Sequence, residues 1–146
     1  MKVLVFPLLL GIAVYAAPPR SLTTAKPAPT HWAGTISNGM PGDKISFDVA
    51  ADGKSVSNIL FQGYWRCSGS PQTSSGGPLG FFPLRAGRCR VTLAEPTAND
   101  AVATQYAFDG LIGEQTAQGV FRVVRPNGGC DSNTLQWTAA PVAEGK

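Results

Sequence analysis

The stretch that most limits what this chain can fold into is SNILFQGYWRC, Ser57 to Cys67, the longest strand-like run present. Read with period two, Ile59, Phe61, Gly63, Trp65 and Cys67 fall on one apolar face, and Asn58, Leu60, Gln62, Tyr64 and Arg66 fall on the other. A strand that also carries Leu60 and Tyr64 on its second face has something to bury on both sides, so it belongs mid-sheet rather than at an edge.

Further strand signals surround it. Lys44 to Ala50 alternates with Ile45, Phe47 and Val49 inward, and the Asp52-Gly53 pair turns it into the central strand. His31 to Ser37 precedes it. Phe81 to Leu84, Arg88 to Glu95, Ala101 to Ile112, Gly119 to Arg125 and Thr134 to Val142 follow, separated by turn-forming residues. No stretch shows a helical apolar stripe. Seventeen glycines and twelve prolines in a chain with 43% hydrophobic residues agree with many short strands and tight turns. The expected fold is all-β: an antiparallel β-sandwich or a small closed barrel of seven to eight strands.

Residues 1–16 combine Lys2, an apolar run from Val3 to Val14 and small residues at Val14 and Ala16, the pattern of a secretory signal peptide cut after Ala16. The run is too short to span a bilayer comfortably, and no membrane span is expected after processing. Residues 17–30 form a Pro/Ala-rich arm with little to pack, read either as a spacer or as an N-terminus without a role. Residues 31–146 form a single β domain, secreted or periplasmic. Losing Lys2 leaves eleven basic against nine acidic residues. That imbalance does not build the dense basic field that nucleic-acid binding requires.

The side chains specify no reaction. The cysteines, 22 and 41 residues apart with no CxxC pair, and the lone His31 do not match a zinc site or an ordinary Ser-His-Asp arrangement. No phosphate-binding loop opens a helix, and no cofactor is implied. Asp109 and Glu114 bracket a turn and are the carboxylates that a small secreted hydrolase would use. Ser68 to Gly80 lacks periodicity and reads as a long surface loop, a disordered excursion or the presented segment of a secreted inhibitor. Alternation turns Arg66, Arg88, Arg90 and Arg122 outward, with Tyr64 beside Arg66. On neighbouring strands they would form a mildly basic surface suited to an anionic glycan, a lipid headgroup or a protein, or would simply suppress edge-to-edge association. Trp65 and Trp137 read as core and Trp32 as exposed.

Three cysteines in an exported chain leave one unpaired. Cys67 with Cys130 would close a loop of about 64 residues, and Cys67 with Cys89 would enclose the long loop. A bridged pair should hold its Cα atoms about 4.4 to 6.8 Å apart. Cys89, between Arg88 and Arg90 but facing inward with Val91 and Leu93, is either a buried inert thiol or, if exposed, a reactive one.

The series GDKISFDVAADGKSVSNILFQG, Cys67, FDGLIGEQTAQGVFRV, Cys130 and LQWTA resembles a recurrent type of small exported bacterial β domain, from Trp32 to Ala139. The resemblance implies export, a β fold and the Cys67–Cys130 pairing, and the chain departs from it at Cys89. The function expected is a non-enzymatic binding or structural module with an unknown envelope or extracellular protein or glycan as partner.

Overall fold

The computed structural model describes residues 27–96 and 103–143. The expected signal peptide with its cut, and the arm as far as residue 26, lie outside them. Ten antiparallel strands follow one another: β1 (Thr30–Ile36), β2 (Lys44–Val49), β3 (Ser55–Cys67), β4 (Ser70–Gly76), β5 (Phe81–Arg85), β6 (Arg88–Glu95), β7 (Thr104–Ile112), β8 (Ala117–Arg125), β9 (Cys130–Asp131) and β10 (Leu135–Pro141). The only helical element among the described residues is a single 3-10 turn, Pro126–Gly128.

Eight of these strands close on themselves. The pairing runs β1-β2-β3-β5-β6-β7-β8-β10, and β10 returns to β1, with Ile36 opposite Trp137 and Trp32 opposite Pro141. The result is the closed barrel of the two expected architectures, and closure removes the open edges an eight-stranded flat sheet would expose. β3 is central as its two apolar faces require. On one side it pairs with β2 and then β9; on the other it pairs with β5 and then β4. The ladder to β2 slips between Ser46 and Asp48, where Asn58 takes a left-handed φ of 52°. This bulge lets Val56 and Ile59, three residues apart, both point inward.

Two strands lie where turns or loops were expected. β9 sits within the turn before β10. The stretch Ser68–Gly80, read as an aperiodic loop, holds β4, whose seven residues pair along β3 from Phe61↔Gly76 to Cys67↔Ser70. Ser68 and Gly69 both have positive φ, 48° and 89°, the tight two-residue hairpin that matches strand twist. Polar side chains do not prevent a strand when a long partner strand offers its hydrogen bonds.

The barrel is filled. Trp32 stacks on Phe47 at 5.9 Å, Phe47 meets Trp137 at 5.6 Å and Phe108 at 5.8 Å, and Phe108 stacks on Trp137 at 5.1 Å. Phe61 and Phe121 close the column at 5.7 Å. Each fully buried aromatic contributes roughly 1.5–3 kcal/mol over exposure. Trp32, expected to be exposed, is only 4% accessible, because β1 is paired on both sides and its third residue points inward. Trp137 is seated over glycine: Gly110, Gly119 and Trp137 are cross-strand neighbours, and a Cβ on Gly110 would lie 2.8 Å from its ring.

Outside, the alternate positions carry Lys44, Asp48, Arg88, Arg90, Gln105, Asp109, Gln118, Arg122 and Gln136. A membrane-spanning barrel needs the reverse, an apolar outer band. No helix among the described residues is long and apolar enough to cross a membrane.

Candidate functional site

With its interior packed, the barrel leaves binding to its ends and walls. One wall opens where β3 outruns its neighbours. β2 pairs with β3 as far as Gln62, and β9 takes over only at Arg66, so the edge of residues 63–65 faces a gap. The buried Asp43 spans part of it: Oδ1 accepts the Tyr64 N–H at 3.0 Å and Oδ2 accepts the Met40 N–H at 2.9 Å, fixing the β1–β2 turn against β3. Asn38 secures that turn to the other side, donating to the Thr134 carbonyl at 2.9 Å and accepting from the Gln136 N–H at 2.6 Å. Ser132 is tied inward, its hydroxyl accepting from Val123 N–H at 2.9 Å and donating to the Asn133 carbonyl at 2.8 Å.

These anchors surround a cleft of about 270 Å³, whose walls include Met40, Tyr64, Trp65, Arg66, Pro71 and Asn133. Tyr64 and Met40 are 40% and 44% exposed. Trp65, expected to be core, is only partly buried and contributes to this wall, because β3 at this point has run past the barrel interior.

The Cys67–Cys130 disulfide braces the same end. Its Cα atoms are 3.9 Å apart, below the expected interval, and the two residues are directly opposed on adjacent strands. Cys89 is the free cysteine, fully buried. Burial, with Asp109 nearby, pushes its thiol up to about 11, so it is neutral and inert rather than reactive.

The five residues expected to share one basic surface divide into three groups. Arg88 binds Asp109 bidentately, both bonds at 2.9 Å, and Arg90 donates to the same carboxylate at 2.9 Å. The Arg88 and Arg90 guanidinium groups hold the Asp109 carboxyl below the ordinary carboxylate value. Arg122 takes both oxygens of Asp131, at 3.0 and 2.6 Å, and lowers its pKa likewise. Arg66 is directly opposite Asp131 in the β3–β9 ladder, yet that carboxylate is turned to Arg122 and also accepts the Asn133 N–H at 2.8 Å. Arg66 therefore has no ionic partner among the described residues, and with Tyr64 it borders the cleft.

Asp109 and Glu114 do not make a matched acid pair. Asp109 is kept ionised by two guanidinium groups, a poor proton donor, and Glu114 is exposed in the Gly113–Thr116 turn. The lone His31 is exposed at the start of β1, its Nδ1 2.6 Å from Asp48 Oδ1, while Asn58 donates to Asp48 Oδ2 at 2.7 Å. Burial pushes Asp48 up, but the bonds from Asn58 and His31 outweigh it and leave its pKa lowered. The carboxylate stands between His31 and the strand β3, so no nucleophile, base and acid follow in relay order. Among the described residues no three His, Cys, Asp or Glu side chains gather where a metal ion could be held.

Asp43, Met40 and Asn133 escaped the sequence reading. Only turn composition marked them, in NGMPGD and CDSN, and turn composition does not say which turns meet. No protein-family model, no curated protein and no solved structure matches this chain.

Proposed function

We propose that this is an exported, non-enzymatic binding module that works at the cell envelope or outside the cell and seats its ligand in the cleft beside Cys67–Cys130. The observation that carries the reading is the state of the arginines. Arg88, Arg90 and Arg122 are neutralised within the fold, and Arg66 is left unpaired at a concave site walled by Tyr64 and Trp65. An unpaired guanidinium next to exposed aromatic surface is the usual composition of a recognition centre. The disulfide is compatible with an oxidising compartment.

The test is a pull-down from extracellular and envelope fractions of the source cells. Tyr64→Ala with Arg66→Ala should lose the partner that the unaltered protein and an Arg88→Ala, Arg90→Ala variant both retain. Loss only in the second variant would place recognition on the β6–β7 face and overturn the reading.

A second reading gains from one observation. Ser68–Gly80, as the segment of a secreted inhibitor, needs an ordered conformation with a braced base, and β4 is a paired strand rooted beside Cys67. Replacing Gln72 and Ser74 by Ala would then abolish inhibition of a target protease and leave the cleft's ligand untouched.

A further inference from the structure

We infer that the cleft takes an acidic saccharide, a pyranose ring carrying a carboxylate, which deepens and rests on the binding reading above. Size comes first. About 270 Å³ lies just below the roughly 300–1,000 Å³ of drug-sized pockets, enough for one ring of a longer chain but not for a folded epitope.

The chemistry of the lining then selects the ring. Arg66 is the only charged residue among the lining residues, so the site neutralises a single negative charge. A phosphate carries more charge and is ordinarily met by several cations, whereas one planar guanidinium matches one carboxylate bidentately. Around Arg66, two further polar heads are unengaged: the Tyr64 hydroxyl and the Asn133 side-chain amide have no hydrogen-bond partner among the described residues. Asn133 holds its position through a left-handed φ of 55° and through its main chain, so its amide is left for a ligand.

A pyranose answers every part of this lining. Its C–H face packs against Tyr64 and Trp65, its hydroxyls can both donate to and accept from the amide and the phenol, and its carboxylate accepts from Arg66. An acidic peptide side chain would engage Arg66 and leave the aromatic walls and the amide unmatched.

The experiment titrates the purified, disulfide-intact protein with oligogalacturonate and oligoglucuronate, with their methyl esters and with a glutamate oligopeptide, by calorimetry and amide chemical shifts. The inference expects at least one uronate series to bind, with shifts at residues 38–40, 64–66 and 132–135. The methyl ester and Arg66→Gln should each weaken that binding about tenfold or more, while Arg90→Gln, on the far β6–β7 face, leaves it unchanged. Arg66→Lys keeps the charge without the fork and should fall between. Equal binding of acid and ester, or equal binding of the glutamate peptide, overturns the acidic-ring inference and leaves the cleft as a binding site. Failure of both uronate series to bind also overturns it. Binding with shifts confined to the Arg88, Arg90 face overturns the cleft reading as well. Thermal melts of each variant show that any loss is not unfolding.

Discussion

Arg66 and Arg122 have the same side chain and the same outward parity, yet one is neutralised and the other is not, because a single carboxylate at Asp131 lies between them and its bidentate partner is Arg122. Residue-scale energetics elsewhere are equally local. Gly110→Ala would drive a methyl to 2.8 Å from the Trp137 ring, which is held in a packed column and cannot yield cheaply. A loss of about 1–3 kcal/mol in urea unfolding is expected. Removing the Cys67–Cys130 bond should cost about 2–5 kcal/mol, read from denaturation with and without reductant. For Cys89 the sign follows from burial. Its folded pKa of about 11 lies above the ordinary 9.0, so the stability tied to the protonated thiol is complete below 9.0 and lost as pH rises towards 11. Alkaline titration of stability should show this loss in the native sequence and not in Cys89→Ala. If native Cys89 instead reacts readily with a thiol reagent at neutral pH, the buried assignment fails.

At the scale of elements, one short hairpin turn and one proline shape the ring. Ala86 and Gly87 join β5 to β6 with φ of 48° and 75°, and alanine pays for a conformation that asparagine tolerates. Ala86→Asn should therefore raise the unfolding free energy by about 0.5–1 kcal/mol, read from urea unfolding. The β5–β6 ladder extends only over Leu84↔Cys89 and Arg85↔Arg88. Pro83 follows, and it has no N–H to continue the pairing, so β5 turns from β6 to β3, where Pro83 stands opposite Ser55. At the other end β3 is held by β4 and by β9, and β9 is only two residues long. The disulfide is the covalent reinforcement of that small strand. Reduction should first expose amides of residues 130–131 and 63–67 to hydrogen exchange, while the β6–β7–β8 ladders keep their protection.

Taken whole, the molecule keeps Trp32, Phe47, Phe61, Phe108, Phe121 and Trp137 inside a closed ring and its ion pairs outside. Asp48, Asp109 and Asp131 all have folded pKa values below the ordinary 3.8. Their contribution is complete above that value and is lost as pH falls through the lowered ones. The three carboxylates are partly exposed and their cationic partners lie at the surface, so each contribution is modest and weakened by salt. Asp109→Asn should be less stable than the native protein at neutral pH, and the gap should narrow as pH drops below 4 and as salt is added. A gap independent of pH would show that Asp109 acts by packing alone.

Period-two alternation and turn chemistry determined the eight strands of the ring, the central place of β3, the inward facing of Cys89 and Trp137, and the outward parity of the arginines. These follow from the pleat, which is a local property of the backbone. Only the tertiary structure decided closure into a barrel, since the return of β10 to β1 joins residues about a hundred positions apart. It also decided the strand in Ser70–Gly76, because a polar segment takes its conformation from the partner that needs its hydrogen bonds. The cleft belongs to the same class: Met40, Arg66 and Asn133 come from separate turns and strands, and only their meeting in space leaves Arg66 unpaired beside an aromatic wall. Which carboxylate reaches which guanidinium is set by strand register around the ring, and no local pattern in the chain encodes that register.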